Sequence, residues 1–308
     1  MPAILKVRFY LLSQPSNATR YHIGHTIQPT HNLFTHSSHP KDVPTPDRYN
    51  MQYENVELIT EDKVKLRCFL VRRFGNLKNA RGTVIFFHGI AVNHGEMLSQ
   101  VKELYEFNLA TLTVDYRGYG HSEGVPSENG IRLDAQAAID YVKNHHILCK
   151  LPIILFGHGL GGAVAIYTAS KNPNTVSAVI VENTYTSIPD LLKSMPVIRY
   201  FSWMSTQKWR SSTALSRLPT SLPILILSGR MDEYIPYTYM EKLWKIAMNR
   251  GRSESKNSVP NEEYRPPMND MFRVFPDGMH YYTSHEPYYW ETVFEFLDPL
   301  IRISHTET

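Results

Sequence analysis

The stretch Leu155-Phe156-Gly157-His158-Gly159-Leu160-Gly161-Gly162 decides the fold. It follows an apolar run, Leu151 to Phe156, and opens into the Ala-rich run Ala163 to Ser170. A strand that bends at once into a helix, with glycines at alternate places, has the layout of the elbow pattern G-x-S-x-G. The central residue here is Gly159, not serine. Glycine enters without strain the left-handed turn that a serine adopts at a cost, so the bend is kept and the hydroxyl is gone.

Outward from the elbow, the runs Thr83 to Phe87, Leu109 to Val114, Pro152 to Phe156, Val176 to Val181, Pro223 to Leu227 and Met271 to Phe275 are short, apolar and β-branched. Helical stretches are expected between and after them, near Gly95 to Phe107, Ile131 to Asn144, Leu160 to Ser170, Tyr237 to Met248 and Pro287 to Ile301. Strands apolar on both faces, alternating with helices, predict a mostly parallel sheet covered on each side. Ahead of them Val56, Leu58 and Thr60, a turn at Glu61-Asp62, and Val64, Leu66, Cys68 and Leu70 alternate as an antiparallel hairpin does.

Two segments break the rhythm. Pro196 to Leu218, with Tyr200, Phe201, Trp203, Met204 and Trp209, is either a helical cap over the site, spanning about residues 190–218, or ordinary helix packing. Arg250 to Asp270 is charged, Ser/Asn-rich and holds Pro260, Pro266 and Pro267, which reads as a long mobile loop over about residues 250–270. The expected organisation is a tail or remnant anchor over residues 1–50 and one α/β domain over residues 51–308.

The 308 residues suffice for a large core, and a net charge of +3 without a Lys/Arg run argues against nucleic acid. Only Cys68 and Cys149 are present, so no disulfide framework is expected and a reducing, intracellular setting fits, cytoplasmic or membrane-associated. Met1 to Leu12 is apolar but far short of the roughly 20 residues that span a bilayer; it reads as a frayed tail, a remnant anchor or a peripheral membrane contact. His22, His25, His31, His36 and His39 lack a partner cysteine or regular i, i+4 spacing, so no metal is expected, nor any cofactor.

Ligands of open parallel sheets gather at the carboxyl ends of the strands, and the polar punctuation of this chain falls there. Phe87-His88-Gly89-Ile90 closes one strand and presents the Ile90 N–H; the Leu160 N–H follows the elbow. Two main-chain donors so placed form an oxyanion hole. Asp115 through Gly124, with three glycines and several charges, reads as architecture that ties loops together. Asp232 follows the strand ending at Leu227, and His280 follows the last strand. Asp232 would hold the tautomer of an imidazole at His280, the general base, and the order elbow, acid, histidine completes the pattern.

At these residues the chain resembles the bud-emergence branch of the α/β-hydrolases, a family of serine hydrolases. The resemblance rests on Tyr53 to Leu66, Val114 through Gly124, Gly161 to Ser170, Val181 to Pro189, Ser228 through Pro236 and Phe275 to His280, and covers most of residues 50–300. It implies an α/β-hydrolase fold with a small helical cap insertion, an acyl ester, thioester or lipid-like substrate, and tethering by an N-terminal hydrophobic helix. It also implies acid and base roles for Asp232 and His280 and oxyanion roles for Ile90 and Leu160. The chain departs from the family at Gly159, at Ile90 and Val92 where Asn and Gly are usual, and in its shortened or missing anchor. Three readings stay open: a hydrolase scaffold whose nucleophile has been removed, a pseudoenzyme that binds acyl or lipid ligands, and a membrane-surface partner protein.

Overall fold

Alternation from Tyr53 onward produces the hairpin it predicts, β1 (Tyr53–Ile59) against β2 (Lys65–Val71), with Leu58 opposite Leu66. The computed structural model describes residues 43–73, 77–194, 207–251 and 269–303, together with the two-residue strands Val7–Arg8 and Thr26–Ile27, which pair antiparallel. The apolar runs become β3 (Thr83–Phe87), β4 (Ala110–Val114), β5 (Ile153–His158), β6 (Ala178–Glu182), β7 (Ile224–Gly229) and β8 (Met271–Phe275). Every residue of β3 to β7 is buried, as continuous apolar runs require when both faces are covered.

The eight strands lie in the order β8-β7-β6-β5-β3-β4-β2-β1, and β2 alone runs opposite to the other seven. Period-two alternation divides the core. Val84, Phe86, Ile154 and Phe156 face α1 (Leu98–Glu106) and α7 (Tyr289–Ile303), whereas Ile85, Phe87 and Leu155 face α2 (Glu128–Asn144), α3 (Leu160–Lys171) and α6 (Thr238–Met248). From β3 the chain crosses to β4 on one side and returns to β5 on the other. The crevice between the carboxyl ends of β3 and β5 is therefore the switch point at which such sheets bind ligands, and it holds both His88-Gly89-Ile90 and the elbow.

Arg117, after β4, ties three elements together. Its N–H and Nε–H donate to Asp134 of α2 at 2.9 Å each, and its Nη1 and Nη2 donate to Asp62 in the β1–β2 turn at 2.7 and 2.9 Å. This is the loop-fastening role expected of Asp115 to Gly124.

Of the aromatic excursion, Tyr200, Phe201, Trp203 and Met204 lie outside the described residues. Trp209 is a core residue, edge-on to Tyr167 with ring centroids 6.2 Å apart. The backbone N–H groups of Trp209 and Lys208 donate to the Glu128 carboxylate at the start of α2. The flanking helices α4 (Ile188–Ser194) and α5 (Ser211–Ser216) are short. Most of the loop expected from Arg250 to Asp270 also lies outside the described residues, but its ends are clamped by a fully buried pair, Arg250 Nη2 to Asp270 Oδ2 at 2.7 Å.

The N-terminal histidines and most of Met1 to Leu12 fall outside the described residues as well. Among the described residues no helix is long and apolar enough to cross a membrane, and no group of three metal-ligating side chains occurs. Cys68 in β2 and Cys149 ahead of β5 are free thiols.

Candidate active site

β5 ends at His158 and α3 begins at Leu160, leaving Gly159 alone to make the turn, at φ 56° and ψ −114°. That is a conformation in which L side chains are strained. Its peptide groups are held on both sides. The Gly159 N–H donates to the Glu182 carbonyl at 2.9 Å, and its carbonyl accepts from the Gly162 N–H at 3.1 Å and from Thr184 Oγ1 at 2.7 Å.

The two distant loops meet here. His280 Nδ1 lies 2.7 Å from Asp232 Oδ2, while Asp232 Oδ1 accepts the N–H groups of Tyr234 and Ile235 at 2.8 and 2.7 Å. A carboxylate at Nδ1 assigns the proton to that nitrogen and leaves the lone pair on Nε2. Nε2 faces the elbow: a Cβ placed on Gly159 would lie 3.5 Å from it, 3.6 Å from Cε1 and 3.7 Å from the Gly89 Cα. Asp232, His280 and position 159, separated by long stretches of chain, are thus brought together. Ile90, half-buried, stands next to Gly89 in the turn after β3, and Leu160 opens α3. No backbone carbonyl of the described residues outside regular elements accepts the Ile90 or Leu160 N–H, and the first N–H of a helix has no partner within it.

Residues without a periodic signal in the sequence hold the histidine loop. Asn183, at φ 45°, donates through Nδ2 to the His280 carbonyl at 3.0 Å and to Thr283 Oγ1 at 2.9 Å, and its Oδ1 accepts the Gly229 N–H at 2.8 Å. One side chain therefore joins the ends of β6 and β7 to the loop after β8. Glu233 Oε2 accepts the His280 N–H at 3.1 Å, and His158 Nε2 donates to the His280 carbonyl at 2.9 Å. Burial and the neighbouring His280 lower the His158 pKa to about 3, so this ring is a neutral prop behind the base.

Two buried carboxyls flank the site. Asp115 lies within 3.4 Å of His88 Nε2 and 3.3 Å of His94 Nε2, and burial pushes it up to about 8. Glu182, whose Oε2 accepts Gln100 Nε2 at 3.2 Å, is likewise raised to about 8 by burial, with the negative field of Asp232 adding to it.

For Glu182 the folded pKa lies above the ordinary carboxyl value, so the folded protein holds a proton that the unfolded chain releases. The resulting stability is complete below the unfolded pKa and is lost as pH rises toward about 8. Glu182→Gln, which keeps the neutral shape, is expected to match the parent near pH 5. Between pH 6 and 8 it should remove a fall of about 1.4 kcal/mol per pH unit. Urea unfolding across this range checks it; an unchanged pH slope would show that Glu182 is ionised in the fold.

A sequence model of the family described as "Serine aminopeptidase, S33" matches residues 78–221. The chain is 35% identical over 262 residues to protein bem46 of Schizosaccharomyces pombe, covering 83% of this chain and 80% of that protein. It is 33% identical over 270 residues to the alpha/beta hydrolase domain-containing protein WAV2 of Arabidopsis thaliana, covering 82% and 81%. Among solved structures, the Pyrococcus furiosus esterase Pf2001 superposes with a TM-score of 0.66 at 20% identity, over 84% of this chain and 96% of that one. At that identity the likeness is one of fold.

Proposed function

The chain belongs to the bem46-like branch of the α/β-hydrolase family, and on that premise we propose that it carries an acyl-group site of the serine-hydrolase type. The ligand class is carboxylic esters or thioesters, with Gly159 standing in the nucleophile's place. His280 is the base, Asp232 orients it, and the Ile90 and Leu160 N–H groups receive the acyl oxygen. One observation carries this reading: a side chain at position 159 would project to within 3.5 Å of the Nε2 of a histidine already held by a carboxylate.

Met231, Tyr234, Met279 and Tyr282, exposed on the loops that bring Asp232 and His280, give an acyl chain or a membrane surface apolar ground to rest on. Free thiols fit a reducing compartment. Without a hydroxyl at 159, double displacement through an acyl-enzyme is closed to the chain as it stands. That favours a second reading, an acyl- or lipid-binding protein without catalysis.

Fluorophosphonate labelling tests the first. The Gly159→Ser variant should acquire a covalent adduct, and the Gly159→Ser/His280→Ala double variant should lose it. Absence of an adduct from a folded Gly159→Ser protein would leave only the binding reading.

A further inference from the structure

Resting on that reading but going past it, the geometry points to an activity of the chain as it stands. We propose that His280 activates a small protic acceptor, water or a primary alcohol, in the space beside Gly159, and that an acyl group passes directly to this acceptor with no acyl-enzyme.

Three observations support it. First, the base is complete: Asp232 at Nδ1 leaves the lone pair on Nε2, the atom that faces residue 159. Second, the side of Gly159 that faces the base carries no side chain. A Cβ built there would lie 3.5 Å from Nε2, 3.6 Å from Cε1 and 3.7 Å from the Gly89 Cα, all ordinary contacts, so no other group occupies the line from the Gly159 Cα to Nε2, along which an acceptor oxygen would approach the base. Third, the walls are fixed. The Gly159 peptide groups are tied to Glu182, Gly162 and Thr184, and the His280 backbone is tied to Glu233, Asn183 and His158. These ties, with Asp232 on the ring's Nδ1, set where the base stands relative to residue 159, and a base held at a set distance from its acceptor is what proton abstraction needs.

The step balances without any further reagent. The acceptor O–H proton passes to Nε2 as its oxygen bonds to the acyl carbon, and the carbonyl electron pair moves onto the oxygen facing the Ile90 and Leu160 N–H groups. That pair returns, the bond to the leaving oxygen or sulfur breaks, and the Nε2 proton goes to the leaving group. An ester or thioester plus an alcohol yields a new ester plus the released alcohol or thiol; with water the product is the free acid.

The test uses p-nitrophenyl butyrate and a methanol titration on the whole chain. Release of p-nitrophenolate should rise with methanol, show no burst, and be matched by methyl butyrate and butyrate together, the methyl ester accounting for the methanol-dependent part. His280→Gln should lower this rate by about 10²-fold, the lower end of general-base catalysis. Asp232→Asn should lower it too, and serves in its place if His280→Gln fails to fold.

A rate equal in the parent and both variants overturns the proposal. If Gly159→Ser then still forms a fluorophosphonate adduct, the serine-type reading stands and only direct transfer is lost. If it forms none, that reading falls as well.

Discussion

Gly159→Ser is expected to release p-nitrophenolate from a short acyl ester in a burst followed by steady turnover. The steady rate should exceed that of the parent by about 10²-fold at least, toward a ceiling near 10⁶, the usual cost of deleting such a serine. The ceiling corresponds to roughly 8 kcal/mol of barrier. The same substitution should lower the unfolding free energy by about 1–3 kcal/mol, because at φ 56° and ψ −114° a side chain strains the backbone that glycine leaves relaxed. The loss should stop there: a Cβ meets nothing closer than the His280 ring at 3.5 Å, which is ordinary contact. Gain of activity and loss of stability therefore come from one substitution and are separately measurable, by stopped-flow release and by urea unfolding. A stable Gly159→Ser protein that takes the fluorophosphonate adduct yet does not turn over an ester would place the defect at Ile90 and Val92, where the resemblance leads one to expect Asn and Gly.

Much of this site was legible in the sequence because its parts sit at strand ends, and strands buried on both faces announce themselves as unbroken apolar runs. Thr83 to Phe87 and Pro223 to Leu227 could be placed in this way, and with them the residues that follow each strand. Helix starts were less legible. α2 begins at Glu128, not Ile131, because Ser127 caps it, accepting the Gly130 N–H at 3.0 Å. The turn His94–Met97 precedes α1 because Asn93 and Glu96 form a capping box around it.

What the sequence could not disclose are pairings between distant side chains. Asn183 reaches His280 across 97 positions, and nothing periodic marks it; only its ability to adopt φ 45° at a strand end hints at a special place. Glu233, next to the acid, looks like one more loop charge until its carboxylate is found on the His280 N–H. The buried pair Arg250 and Asp270 is invisible for the same reason. Trp209, set among aromatics that suggested a cap, belongs to the core, where Glu128 of α2 holds it in place by accepting its backbone N–H and that of Lys208.

The three alternating glycines of the elbow should differ sharply when each receives a methyl group. Gly161→Ala is expected to abolish folding or to cost more than about 4 kcal/mol, since its Cβ would lie 1.9 Å from the Phe87 carbonyl oxygen and 2.9 Å from that of His88. Those atoms belong to β3 and the turn that leaves it, and backbone so placed has nowhere to go. Gly157→Ala meets a similar obstacle in the Gly161 carbonyl, at 2.0 Å. Gly159→Ala, by contrast, bears only the conformational cost, about 1–3 kcal/mol. The outer glycines are thus demanded by how closely α3 packs on the sheet, whereas the middle one is not: a side chain fits there, directed at the base. Soluble yield and urea midpoints of the three variants decide the matter. If Gly159→Ala proves as damaging as Gly161→Ala, the space beside His280 is closed in solution, and neither a serine nor an acceptor could occupy it.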